Sequence, residues 1–515
     1  MKWPTSRSNL LVALTVVLSV ALFFGIAFSA LALWPKVAGC LLVLVLCGFS
    51  LHKLTGVDSF YGFLMIRSLA GFDLMKLLAK DHPRFFREAA DCGATLAFGV
   101  PFGAKVFGWK KALTHAAVVV AFLGLMVAAR FVSSLSFLLS GGEVYFLIIG
   151  ILAGLAGMGL LGISVHAWRV LTVADTPAGI SVLIPGVTVP WEAIFGLVVL
   201  AIVHEMAHGV LCYVEKLPLK SSGVVLFGFL PVGAFVEPDE KRLDKLTLEK
   251  KRRILVAGSA SNALFFVIFF VLASLLSLFI PALVSGVQVA SVPANSTLSS
   301  SLTGFSLLSL EGKPVRTLSE AYEGIGADFN PQALYGKDGK KVQAPLLDLV
   351  INSVNKTAPS ASVLSKGDRI AAVDGVQVFL PGQVGKQLAK NKAGDAVILT
   401  TQSGNRTVLL DRSGKIGITV AMAPSVVLEN LPKPGLGFLY SAVAFLLVLF
   451  SFAYLLNLLI AIVNLLPIFV TDGQKMVFYE LEPWLKKDRA MKASMVIGFA
   501  VLGILLINAL PYFWH

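Results

Sequence analysis

His204 and His208 stand four residues apart in Val203-His204-Glu205-Met206-Ala207-His208-Gly209. On a helix that spacing puts both imidazoles on one face. Two imidazoles so placed can hold one zinc ion, and Glu205, beside the first, can serve as general base toward an activated water. The motif lies inside an apolar run, residues 191–214. Ionisable groups in a membrane segment cost about 2.5–3.5 kcal/mol each on insertion scales, so by default they mark a functional site. Three together argue for a metal site and against a chance match on a packed helix.

A catalytic zinc takes three protein ligands and keeps one position open. The candidate third ligand is Asp472, in Asn464-Leu465-Leu466-Pro467-Ile468-Phe469-Val470-Thr471-Asp472-Gly473. Pro467 breaks the helix before it, so an irregular segment can present the carboxylate. The distribution of Lys and Arg puts Asp472 on the same inner side as the histidines. Glu237 is the second candidate, since soluble zinc proteases often use a later Glu. Its neighbours Pro238-Asp239-Glu240 read as solvated surface.

These side chains need a scaffold that stands in lipid. Of 515 residues 56% are hydrophobic and only 14% charged, and the mean hydropathy is +0.82. The composition is that of a polytopic α-helical membrane protein. The net charge of +13 does not call for nucleic acid, because much of it falls in two membrane-flanking loops where the positive-inside rule puts it. Cys40, Cys47, Cys92 and Cys212 lie in or beside apolar stretches. No disulfide framework is implied, and they read as small buried residues.

Four regions follow along the chain. Residues 1–182 form an N-terminal membrane region with spans at 10–34, 37–51, 113–131 and 145–165. Ala30-Leu31-Ala32 looks faintly like a signal-peptidase site, but the run before it is too long for a signal peptide, so an uncleaved first span is expected. In residues 52–92, Phe63, Leu64, Leu74, Leu77 and Leu78 interleave with Arg67, Lys76 and Lys80. That suits an amphipathic helix on the inner membrane surface, or secondarily one that binds a partner. Residues 93–109 are counted as a crossing: the His204 helix must start outside for the basic loop after it to lie inside.

Residues 183–283 hold the zinc-motif helix, a short membrane-associated β segment and the next span. The stretch 217–238 is rich in Gly, Pro, β-branched and aromatic residues and reads as short strands. Such backbone is tolerated near lipid where it is buried in protein or lines a cavity. Its edge could pair with an unwound peptide, or the hairpin could simply cover the site. The following span carries Ala257-Gly258-Ser259-Ala260-Ser261-Asn262, small residues that allow close helix approach and one amide.

Residues 284–433 are the one sizeable polar insert, and they contain a repeat. Val287-Gln288-Val289, Gly304-Phe305-Ser306-Leu307 and Glu311-Gly312-Lys313-Pro314-Val315 are echoed by Leu349-Val350-Ile351, Gly367-Asp368-Arg369-Ile370 and Asp374-Gly375-Val376-Gln377-Val378. Each copy resembles the middle of a PDZ domain, which gives a tandem α/β PDZ-like insert. Asn295, Asn355 and Asn405 each head an Asn-x-Ser/Thr triplet, in keeping with an outer location. Residues 434–515 supply the C-terminal spans with the Asn464/Asp472 segment.

Taken in order, the motif helix, Gly258-x-x-x-Asn262, the PDZ-like insert and Asn464-x-x-Pro467 with Asp472-Gly473 resemble the site-2 protease family of intramembrane zinc metalloproteases, over residues 183–487. The stretch Phe229-Leu230-Pro231-Val232-Gly233-Ala234-Phe235-Val236 is similar to the branch with eukaryotic and many archaeal members. The resemblance implies zinc on His204, His208 and Asp472, with Glu205 as catalytic base. It implies regulated intramembrane proteolysis: cleavage of peptide bonds within or near transmembrane helices of single-pass membrane proteins. The insert would filter substrates on the outer side, with the active site toward the cytoplasm. Asn464 would help hold substrate or the aspartate, and Asn262 would do likewise. The doubled insert and the extra N-terminal spans depart from the pattern. The expected partners are the lipid bilayer and membrane-anchored substrates, with no nucleic acid. The competing class is a metal-binding transporter or a catalytically silent scaffold. Transporters often show two matching halves, which the apolar parts lack, and binding alone needs no Glu205.

Overall fold

The computed structural model describes residues 6–29, 33–132, 143–173, 176–180, 189–298, 300–322, 330–355, 358–469 and 471–514. Ala30-Leu31-Ala32 lies outside them, and so do residues 185–188 of the stretch 185–190 expected as the outer start of the motif helix. The chain divides into two compact units: one built mostly from residues before 274 and after 445, the other from the insert between.

The first unit opens with α1 (Ser6–Ala27) and α2 (Leu33–Thr55). Then come β1 (Ser59–Phe60), β2 (Phe63–Ser68), α3 (Phe72–Asp81), α4 (Pro83–Phe98), α5 (Val100–Phe107), α6 (Trp109–Val132) and α7 (Glu143–Thr172). The motif helix is α8 (Ala193–Val214), followed by β3 (Leu219–Phe227), β4 (Leu230–Pro238), the short α9 (Glu240–Leu243) and α10 (Leu248–Ser277). Among the described residues seven helices are long and apolar enough to cross a membrane, α8 and α10 among them.

Two expectations change here. The stretch 52–92 is not one surface helix. Phe63 and Leu64 belong to β2, which pairs along its whole length with β3, from Phe63 opposite Phe227 to Ser68 opposite Ser222. The pairing partner lies far along the chain and was invisible locally. The helical remainder, α3, buries Phe72, Met75 and Ala79. Met75 lies on Gly209 of the motif helix, so α3 braces α8, and Leu74 and Leu77 stay exposed. Nor is 93–109 a continuous crossing. It breaks at Gly99 (φ +87) and Gly108 (φ +86), and α5 between them has eight residues, about 12 Å of helix against a hydrocarbon core of about 30 Å. Gly99 is forced: a Cβ there would stand 2.4 Å from the Leu152 carbonyl oxygen of α7.

The four strands form one antiparallel sheet in the order β1-β2-β3-β4, which leaves β4 as an edge. Its β3–β4 turn rests on the N-terminal spans. Phe229 meets Phe23 edge-on at 5.6 Å, and Gly228 (φ +60) sits so close to α2 that a Cβ would be 2.7 Å from the Leu44 oxygen. The extra spans thus serve as a wall for the sheet.

In the second unit α11 (Ile280–Leu283) leads into β5 (Val284–Ser291), β6 (Ser306–Leu310), β7 (Lys313–Pro314), α12 (Leu318–Tyr322), β8 (Gln332–Lys337) and β9 (Lys340–Pro345). A second set follows: β10 (Leu347–Val354), β11 (Arg369–Val373), β12 (Val376–Gln377), α13 (Pro381–Leu388), β13 (Ala396–Thr401), β14 (Gly404–Leu409) and β15 (Ile418–Pro424). Then comes β16 (Val427–Pro432). The sheets run β16-β5-β6-β8-β9 and β15-β10-β11-β13-β14, with β7 on β6 and β12 on β11. They have the same order, and the turns Glu311-Gly312 and Asp374-Gly375 share left-handed conformations, φ +47 and +76 against +50 and +76. The repeat read from sequence is therefore a repeat of whole sheets. Its order is nested where a tandem one was expected. β16 returns after the second sheet is complete and closes the first by pairing with β5. Each sheet has its own apolar core, around Val287, Leu307 and Tyr335 in one and Leu349, Ile370 and Val397 in the other.

The chain returns through α14 (Gly437–Leu465), then α15 (Asp472–Leu485), α16 (Lys487–Ala509) and α17 (Pro511–Trp514).

Candidate metal centre

The paired histidines of α8 face a stripe of α10 in which Ile254, Gly258 and Asn262 recur at four-residue spacing, so all three share one face. Each member does something different. The Ile254 carbonyl takes a hydrogen bond from His208 Nδ1, at 2.7 Å. That fixes the His208 proton on Nδ1 and turns the Nε2 lone pair inward, the arrangement a metal-ligating imidazole needs. Gly258 leaves room for both rings: a Cβ there would lie 2.4 Å from Nε2 of His204 and 2.4 Å from Nε2 of His208. Asn262, fully buried, places its side-chain amide 3.1 Å from His204 Nδ1.

The third ligand comes from the break after α14. That helix stops at Leu465, just ahead of Pro467, which cannot continue its ladder. Thr471 then caps α15: its hydroxyl donates to the Leu466 carbonyl at 2.7 Å and accepts from the Gln474 N–H. The first residue of α15 is Asp472, a favourable place for a carboxylate at the positive end of a helix. Its Oδ2 lies 3.1 Å from His208 Nε2 and 3.4 Å from His204 Nε2. The two Nε2 atoms are 3.2 Å apart.

Those three separations test whether zinc fits. Ligands at about 2.1 Å on a tetrahedral ion are about 3.4 Å apart. The observed triangle is close to that, its members are two imidazoles and one carboxylate, and His208 already holds its proton on the outer nitrogen. Among the described residues this is the one group of three His, Cys, Asp or Glu side chains so placed. The donor set fits zinc.

Glu205 is close enough to feel both imidazoles and Asp472 electrostatically. Its Oε2 accepts the Val236 backbone N–H at 2.9 Å. The edge strand β4 thus supplies the contact that holds the candidate base. Sequence reasoning placed a strand near the site but missed this bond, because no side chain signals it.

The basic run 241–253, read as a positive-inside loop, also ties the site together. Arg252 grips Glu480 of α15, with Nη2 to Oε2 at 2.8 Å, and Lys251 stands 4.1 Å over the Tyr479 ring. Arg253 makes a two-pronged pair with Asp91 of α4, at 2.7 and 2.9 Å. Asp91 also receives Lys111 at 2.7 Å. Burial alone would push the Asp91 carboxyl up, but Arg253 and then Lys111 outweigh it and hold the group below its ordinary value. The stripe of α10 is therefore clamped to α15 on one side and to α4 on the other. The Asp91 clamp had no signal in the sequence.

The remaining candidates fall elsewhere. Glu237 accepts the Ser221 hydroxyl at 2.7 Å and pairs with Arg67, and it is not a member of the ligand group. Asn464 is half-buried in the last turn of α14, and among the described residues no hydrogen bond links it to Asp472. Asn262 turns its amide to the back of His204. All four cysteines are free.

Comparison with known proteins agrees. Residues 192–506 match the model of peptidase family M50. An uncharacterized protein of Methanocaldococcus jannaschii is 40% identical over 85 residues, which are 16% of this chain and 22% of that protein. The chain thus spans about a fifth of that relative's length. A family match that takes in α8, α10, the whole insert and Asp472, over a structure that brings two histidines and that aspartate together, leaves one conclusion: the chain belongs to peptidase family M50, the site-2 protease family of membrane metallopeptidases.

Proposed function

We propose that this protein is an intramembrane zinc metalloendopeptidase that cuts peptide bonds within or near transmembrane helices of single-pass membrane proteins, as in regulated intramembrane proteolysis. The observation that carries the reading is the meeting of His204, His208 and Asp472 within 3.4 Å of one another, with Glu205 beside them on an apolar helix. His204 Nε2, His208 Nε2 and an Asp472 oxygen would hold the ion, which when bound supplies a Lewis acid and brings the pKa of its water toward neutrality.

The chain's own groups do the rest. Glu205 takes the proton from the attacking water and passes it to the leaving amine. Val236 holds one of its oxygens, which leaves the other free for that transfer. A substrate helix must unwind first, because its carbonyls are otherwise bonded within it. The rest of the β4 edge, beyond the Val236 N–H that Glu205 takes, would offer the unwound segment a strand to pair with, replacing those lost bonds. The competing hairpin-cover reading is weakened by the Glu205–Val236 contact, which puts this edge at the candidate base. The Lys and Arg distribution supports a histidine end toward the cytoplasm and a 284–433 insert outside. There its repeated PDZ-like sheets would act as a filter on substrates.

The test is cleavage of a single transmembrane helix, flanked by two reporters, by purified protein in detergent. Glu205→Gln is expected to keep zinc and fold while cleavage drops by about 100-fold or more. Asp472→Ala is expected to lose both zinc and cleavage. Full zinc in Asp472→Ala, or cleavage by Glu205→Gln at the wild-type rate, would overturn the reading.

A further inference from the structure

Asn262 is fully buried, its Oδ1 has no hydrogen-bond partner among the described residues, and its Nδ2 faces His204 Nδ1 at 3.1 Å. The chemistry of the ring makes this pairing consequential. If the amide N–H donates to Nδ1, the imidazole proton must sit on Nε2. That atom is 3.4 Å from Asp472 and 3.2 Å from His208 Nε2, so a proton there occupies the lone pair an ion would use. A half-turn of the amide exchanges two atoms of nearly equal size. The idle Oδ1 then accepts Nδ1–H, and Nε2 is left bare and turned inward. His208 already has this arrangement, through a backbone carbonyl. Among the described residues no carbonyl takes that role for His204, and Asn262 stands where one would be.

We propose that Asn262 is a positioning residue for the metal centre: through Oδ1 it fixes the proton of His204 on Nδ1 and keeps Nε2 available to zinc. This replaces the substrate-binding role expected for it, since a side chain with no exposed surface at the back of a ligand ring is poorly placed to touch substrate. The inference rests on the zinc-protease reading, and its consequence is a metal affinity rather than a rate.

The experiment is zinc affinity of the full-length protein in detergent, by competition with a coloured chelator. Cobalt absorption serves as a second measure of ligand geometry. Asn262→Leu fills the same volume with no acceptor and is expected to bind zinc about 10–100-fold more weakly. Asn262→Asp keeps an acceptor at the same place and is expected to hold wild-type affinity or better, with the wild-type cobalt spectrum. If the leucine variant does not fold, Asn262→Ala carries the same expectation. Wild-type affinity in the variants without an acceptor overturns the proposal, and so does an Asp variant as weak as they are. A wild-type protein that binds no zinc would instead sink the protease reading itself, so the two failures are distinct.

Discussion

Gly258→Ala is the smallest change that tests how the site is built. It adds one methyl carbon, whose ideal position is 2.4 Å from Cε1 and Nε2 of His204 and 2.4 Å from Nε2 of His208. Ordinary contact needs about 3.5 Å, so both rings must retreat by roughly 1 Å, or α10 must. The helix is poorly able to yield, because Arg252 and Arg253 tie its start to Glu480 and Asp91. Metal ligands tolerate errors of about 0.2 Å, and a misplacement of about 1 Å near the chemistry can cost about 100-fold in rate. The expected outcome is a folded protein that has lost most of its zinc and at least about 100-fold of its cleavage. Zinc would be measured by elemental analysis of the detergent-purified protein, and cleavage with the reporter-flanked helix. Gly162→Ala on α7 is the control, since among the described residues a Cβ there meets nothing within 4 Å. Wild-type zinc together with wild-type cleavage in Gly258→Ala would refute the claim that this glycine makes room for the ligand rings.

Two further predictions concern what holds the centre from behind. Asp91→Asn leaves Arg253 and Lys111 with a buried neutral partner and is expected to cost about 3–5 kcal/mol of stability, read as a lower thermal midpoint in detergent. Because the Asp91 carboxyl is held below its ordinary value, its contribution is complete above the usual aspartate range near about pH 4 and fades as pH falls through the depressed value. The wild-type midpoint should therefore drop in acid more steeply than that of Asp91→Asn, and parallel pH profiles would refute the assignment. Val236→Pro deletes the N–H that holds Glu205 at a strand edge where proline is tolerated. It should keep zinc and lose about tenfold or more in cleavage, in line with about 1.5–3 kcal/mol for a hydrogen bond to a charged group. Unchanged turnover would mean that the contact does not position the base.

The grouping of the three candidate ligands was legible where its signals were local. His204 and His208 announce themselves by spacing, and the break at Pro467 made Asp472 a candidate before any geometry was known. The repeat in the insert showed in its Gly turns because left-handed backbone restricts residue choice at Gly312 and Gly375. What stayed hidden depends on distant pairing. The alternation in Phe63 to Ser68 looks like part of a helix until β3, more than 150 residues on, gives it a partner. The return of β16 to β5 turns a tandem arrangement into a nested one, and no local pattern encodes it. The Glu205–Val236 bond and the His208–Ile254 bond use main-chain atoms, which every residue has, so sequence carries no trace of them. Asn262 was picked out, but its direction was not, since a buried amide looks the same whether it serves substrate or ligand.

The nested arrangement has a practical side. The insert begins and ends on neighbouring strands of one sheet, with Val284 opposite Pro432. The next main-chain bond, Lys433 to Leu283 at 2.9 Å, lies just beyond them. Everything between those residues is a closed cassette with a single doorway. A foreign domain with close termini, or a few glycines, could be spliced in at that doorway without asking α11 or the start of α14 to part company. Recombination would find the same seam, so the insert could be traded while the metal centre was kept.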